Sequence, residues 1–229
     1  MDIFTGRVYR GNRTLWFHRP LDKYPVLAPA GAIIPLDALP VLRNGCPVHT
    51  AMELVVIVGK DGNSELYESE GSISSNTIIT FTQQTGVLAI KPTAKNTSVP
   101  SQPRHWTVHL LSCAPSSSIS VSIDGGLNTS AVHIHTSPVS GFKPDLGTTA
   151  GEITVDTGEN PQLEMHSPLT GCREILHRAR VDYDLKQQIW QLLTENEGGG
   201  GILTIGHLHA VEMEEALLGT LMEVLTASL

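Results

Sequence analysis

Across the first 165 or so residues, short apolar runs alternate with polar positions, and each run closes on Gly, Pro, Asn or Ser. In HWTVHLL (105–111), Trp106, Val108 and Leu110 fall on one side and His105, Thr107 and His109 on the other. That is the period of two expected for a strand with one buried face. SISVSIDGG (118–126) repeats the pattern through Ile119, Val121 and Ile123. AMELVVIVG (51–59) is a strong strand, and Asp61-Gly62 with SELYE beyond it predicts a tight hairpin. NTIITFTQQTGVLAI (76–90) predicts another, turning near Gln84-Thr85-Gly86. Strands this short and this evenly spaced predict a mainly β chain built from two antiparallel β-sandwich domains. TSPVSGFKPDLGTTAGE (136–152) is rich in Pro, Gly, Ser and Thr and predicts a long loop or linker.

Near residue 171 the period changes. CREILHRARVDYDLKQQIWQLLTEN (172–196) has no Gly or Pro. Its residues Ile175, Leu176, Ala179, Tyr183, Ile189, Trp190 and Leu193 gather on one side at helical spacing, which predicts an amphipathic helix. Gly198 to Gly201 end it; no Lys-Ser/Thr follows, so they read as a hinge and not a phosphate loop. AVEMEEALLGTLMEVLTASL (210–229) predicts a second helix with Leu217, Leu221 and Leu225 as its seam. The chain is thus expected to finish in a helical C-terminal segment.

Composition excludes several function classes. With 40% hydrophobic and 17% charged residues, a chain of 229 residues can bury a core. Lys+Arg 15 against Asp+Glu 23 gives a net charge of −8, and no cationic cluster is present. That argues against nucleic acid and against an anionic membrane surface as partners. No run reaches the roughly 20 apolar residues of a membrane span. Asp2 and Arg7 interrupt any apolar leader run at the start of the chain. Cys46, Cys113 and Cys172 lack the number and spacing of a disulfide framework or a zinc site and are expected to be buried thiols. Asn12, Asn96 and Asn128 each head an Asn-x-Ser/Thr sequon and are candidate glycosylation sites.

Candidate chemistry is sparse. His133 with His135, and His207 with His209, are i,i+2 pairs that on strands would face one side and could begin a metal site. No further ligand lies at suitable spacing, so no metal is expected. Glu65, Glu68 and Glu70 cluster around Tyr67, yet paired carboxylates must flank a substrate to act on a glycosidic bond, and loop structure or calcium ligation is the simpler reading. Neither a G-x-S-x-G elbow nor an H-E-x-x-H helix occurs, and nothing marks a cofactor. Trp106 and Trp190 fall on core-facing stripes, which leaves Trp16 and Tyr24 as candidate platforms for stacking on a sugar ring.

Three stretches together resemble one family. DIFTGRVYRG (2–11) resembles the segment that follows the catalytic barrel in family 31 glycoside hydrolases, the α-glucosidase and α-xylosidase enzymes, with Asp2, Phe4, Thr5, Gly6, Tyr9 and Gly11 in matching positions. PLDKYPVLAPAGAIIPL (20–36) is similar to that family's Pro-Leu-Asp-x-Ile-Pro-Val run, and GKDGNSELYESEG (59–71) to its Gly-x-Asp-Gly…Leu-Tyr-Glu run. Pro29 stands where the family usually has Arg, and Ser69 and Glu70 replace an Asp pair. PRHWTVHLL (103–111) and SISVSIDG (118–125) fit the family's later distal strands, so the resemblance is specific from residue 2 to about 125, and the helical end is like an extension of some fungal members. It implies a truncated proximal C-terminal sandwich over 1–50, a distal sandwich over 51–165 and a helical extension over 166–229. It also implies a non-catalytic role, buttressing a barrel that carries the catalytic aspartates and has no counterpart in these residues; no catalytic residue is assigned to this chain. The barrel would then be the partner. An exposed sheet edge and the C-terminal helices are candidate self-association surfaces. A stand-alone carbohydrate-binding sandwich, or an interaction module working through the helices, are the competing readings.

Overall fold

The computed structural model describes residues 1–21, 24–39, 50–70, 73–94, 103–114, 119–128, 132–135, 141–195 and 202–228. Two compact units emerge: residues 28–164, and residues 1–27 together with 165–229.

The first unit is all β. Its strands are β1 (Ile33–Asp37), β2 (Ala51–Val56), β3 (Gly62–Glu70), β4 (Ile73–Thr82), β5 (Val87–Ala94), β6 (Arg104–Leu111), β7 (Ser120–Ile123), β8 (Gly126–Asn128), β9 (Val132–His135), β10 (Gly141–Thr149) and β11 (Ile153–Asp156). They form a five-stranded sheet, β1-β2-β6-β10-β9, and a six-stranded sheet, β3-β4-β5-β11-β7-β8. All pairs are antiparallel except β2 with β6. Met52, Leu54, Trp106, Val108 and Leu110 from one sheet meet Ile79, Phe81, Leu88, Ile90 and Ile153 from the other in a single core. The mainly β class with a helical C-terminal segment is as the pattern predicted. In this unit the described strands pack as two facing sheets of a sandwich, with β1 paired to β2.

Some expected turns are found and others are not. Residues 83–86 join β4 to β5 as predicted, with the Gly86 N–H donating to the Thr82 carbonyl at 2.8 Å. Asp124-Gly125 turns β7 into β8 with positive φ at both residues (49° and 78°), the geometry of a type I′ hairpin turn. Asp61-Gly62 does not close a hairpin: β2 and β3 lie in different sheets. Gly59, at φ 112°, swings the chain out of the first sheet. The Asp61 carboxylate then accepts the Gln83 N–H at 2.7 Å, so its side chain serves the β4–β5 turn.

The stretch expected as a loop over 136–152 contains β10; residues 136–140 lie outside the described set. Phe142, Pro144 and Leu146 are buried and alternate with the more exposed Lys143 and Asp145, and this alternation overrides the turn-rich composition. A bulge between Asp145 and Gly147 absorbs the misfit, with the Gly147 N–H on the Asp145 carboxylate at 2.9 Å.

In the second unit, residues 1–21 and 24–27 form no named strand, only a bridge between Asp2 and Leu27. The single helix expected over 172–196 is two, α1 (Pro168–Arg178) and α2 (Tyr183–Glu195). Ala179 is extended, at φ −60° and ψ 137°, and the Asp182 carbonyl accepts the first bond of α2 from the Lys186 N–H at 3.1 Å. A straight helix of that length would run about 36 Å. Breaking it brings Cys172 and Leu176 of α1 and Ile189 and Leu193 of α2 into one core. The second expected helix is preceded by α3 (Ile202–Ala210) and spans only α4 (Glu215–Thr226), whose Leu217, Leu221 and Leu225 are buried as its seam. Gly198 to Gly201 lie outside the described residues.

Candidate functional site

The densest polar arrangement lies in the helical unit, around Glu223 of α4. Its side chain is only 1% exposed although it sits in an apolar stripe with Leu221, Val224 and Leu225. One carboxylate oxygen, Oε1, accepts the Tyr9 hydroxyl at 2.6 Å and the Arg19 Nη1–H at 2.6 Å. The other, Oε2, accepts the His18 backbone N–H at 2.6 Å. Arg7 Nη1 stands 3.9 Å from Oε1. Arg19 also donates from Nη2 to the Asp2 carboxylate at 2.9 Å and to the Tyr9 oxygen at 2.8 Å, and it lies over the Phe17 ring at 5.4 Å.

Local geometry delivers these groups. Asp2, itself 1% exposed, closes a small loop: its carboxylate accepts the Phe4 N–H at 3.0 Å and its carbonyl the Gly6 N–H at 2.9 Å. Gly6, at φ 66°, permits the turn. Two buried carboxylates thus share one partly buried guanidinium, with Arg7 as second cation, so their charge is balanced. Burial works against the charged form of Arg19, but its hydrogen bonds to Glu223 and Tyr9 outweigh that and raise its pKa. Burial, joined by the bond to Glu223, raises the pKa of Tyr9, which keeps its proton for donation.

The C-terminal end of α4 is held too. This helix has no basic residue in its last turn. Arg13 supplies the missing cation, donating from Nη2 to the Thr226 carbonyl at 2.6 Å and to that of Ala227. The Arg10 N–H adds a bond to the Ala227 carbonyl at 2.9 Å. Cations and donors at this end satisfy the orphan carbonyls and the negative pole of the helix. Chemically the arrangement is a closed clasp. Its carboxylates are spent on internal donors and shielded from solvent, so they offer no general acid or base to a substrate.

The residues singled out from sequence are scattered. Trp16 is 85% exposed and Tyr24 69% exposed; Tyr24 meets Phe4 edge-on with ring centroids 5.9 Å apart. Asn12 is exposed with φ 62°, Asn128 ends β8, and Asn96 lies outside the described residues. His207 and His209 sit on α3 and not on a strand; two residues apart on a helix, they point about 200° apart and cannot share a ligand face. His133 and His135 are on β9. Among the described residues no three His, Cys, Asp or Glu gather closely enough to hold a metal ion. Glu65 and Glu68 fall on opposite faces of β3: Glu65 accepts from Asn76, while Glu68 pairs with Arg104 at 2.5 Å. They therefore do not act as a carboxylate pair. Cys113 and Cys172 are buried thiols, pushed up to about 11 and about 12 by burial. Cys46 lies outside the described residues.

On the five-stranded sheet, Glu53 holds Lys143 Nζ at 2.9 Å and His109 Nδ1 at 3.6 Å. The hydrogen bond to His109, against an opposing effect of burial and with help from Lys143, lowers Glu53 from 4.5 to about 2. Neither this cluster nor Glu223 was singled out from sequence. The signal for Glu223 was a lone carboxylate inside a leucine stripe, and for Arg13 a helix end without its own cation.

No protein-family model matches the chain, and no curated protein matches it. Among solved structures, a GH31 dextranase from Flavobacterium johnsoniae, complexed with glucose, is similar at 18% identity with a TM-score of 0.44. The match covers 65% of this chain and 22% of that one, so this chain spans under a quarter of that enzyme's length. A likeness at this level is no evidence of shared activity.

Proposed function

We propose that the chain is a non-catalytic C-terminal accessory region of a family 31 glycoside hydrolase of the α-glucosidase or α-xylosidase type. Its role is to buttress a separate catalytic barrel, which is its partner and which hydrolyses terminal α-glycosidic bonds. The observation that carries this reading is the meeting of two of the family-like runs. Gly31, from AGAIIP, and Gly62, from KDGN, lie back to back. A Cβ on Gly31 would overlap the Asp61 carbonyl oxygen, and one on Gly62 would overlap that of Gly31. Two runs that resemble one family at a distance of some thirty residues thus depend on each other for packing. Asp2, Gly6 and Tyr9 of the first run are likewise spent on structure, as a non-catalytic role requires.

The exposure of Trp16 and Tyr24 favours a second reading, a carbohydrate-binding surface, since a stacking platform must be open to solvent. Calorimetry of the purified chain against α-glucans and xylo-oligosaccharides, with Trp16→Ala and Tyr24→Ala as controls, separates the two. The accessory reading expects no heat of binding. Binding lost in both variants would favour the second reading.

A further inference from the structure

We infer that the face of α4 is a recognition surface for an extended peptide carrying Arg and Tyr, and that its ligand is the chain's own segment 2–19, bound in cis. The inference stands independently of the family reading.

Three features of the helices fit that ligand. Glu223 is a carboxylate placed in an apolar stripe, and the groups that surround it come from the segment: the Tyr9 hydroxyl, the His18 N–H, and the Arg19 and Arg7 guanidinium groups. The last carbonyls of α4 take their donors from Arg10 and Arg13 of the same segment. Two glycines make seats for it. A Cβ on Gly219 would come within 2.5 Å of the His18 ring, and one on Gly171 within 2.7 Å of Arg7 Nη2. Covering Glu223 desolvates its carboxylate, which is costly without a counter-charge and donors, so the face is specific for a segment that brings them. The helices are therefore occupied from within. Another protein gains this face only by displacing residues 2–19.

Hydrogen exchange read by mass spectrometry on the full chain tests this, with Arg19→Met, Glu223→Gln and the double variant. Each single variant is expected to raise exchange of residues 2–19 and of α4 together, by more than tenfold, while β2 and β6 keep their protection. Arg19→Met strands two carboxylates, Asp2 and Glu223, whereas the double variant strands only Asp2, which keeps its bond from the Phe4 N–H; the double variant is therefore expected to exchange less than Arg19→Met. Should the single variants aggregate, the double variant carries the comparison with the unaltered chain. A synthetic peptide of residues 1–21, added to the Arg19→Met chain, is expected to restore protection of α4, and a scrambled peptide is not. The inference is overturned if α4 keeps its protection when residues 2–19 lose theirs, or if the peptide restores nothing.

Discussion

Gly31 and Glu53 illustrate how single residues set the behaviour of the sandwich. Gly31 has φ 82° and faces the Asp61 carbonyl with no room for a side chain. Gly31→Ala meets both a left-handed backbone, costing roughly 1–2 kcal/mol for an L-residue, and a clash with backbone that cannot rotate away. Urea unfolding is expected to show a loss of at least about 1 kcal/mol. Glu53 carries a pH signature. Its pKa falls from 4.5 to about 2 on folding, so its contribution is complete above 4.5 and is lost as pH drops through 2. Glu53→Gln is expected to flatten the acid limb of the stability profile in that window while leaving its slope above pH 5 unchanged; thermal melts from pH 2 to 7 check this.

Elements were legible where one face is buried and opaque where tertiary contacts decide. Trp106, Val108 and Leu110 announce β6 because every second residue enters the core. The break between α1 and α2 has no Gly or Pro to mark it. It arises because Leu176, Ile189 and Leu193 must reach a common core, which periodicity along one axis cannot reveal. β10 was hidden by its composition: Pro144, Gly141 and Gly147 read as loop, while Phe142 and Leu146 hold it in the sheet. The clasp was invisible for a different reason. Arg19 and Glu223 are 204 residues apart, and a charge inside an apolar stripe gives no indication of its partner. On the helical side, Leu221 is fully buried in the seam of α4. Leu221→Ala is expected to cost about 2–5 kcal/mol and to unfold α4 with its neighbours, seen as lost helical circular dichroism.

At the scale of the whole molecule, the 1–27 segment and the helices form one unit and the strands another. The sandwich edge β3 carries Glu65 and Glu68, charged groups that discourage pairing with another sheet. Its Glu68 is tied to Arg104 of the other sheet, and a buried pair bonded at 2.5 Å fixes the two sheets against each other. Support of this kind is what the proposed accessory role asks of the unit. The most direct measurement titrates the purified chain into a family 31 catalytic barrel that lacks its own C-terminal β region, while following both complex formation and hydrolysis of an aryl α-glycoside. The account predicts a one-to-one complex with regained hydrolysis, and no hydrolysis by the chain alone. Cleavage of the glycoside by the chain without the barrel, or no complex at micromolar concentrations of both, contradicts it.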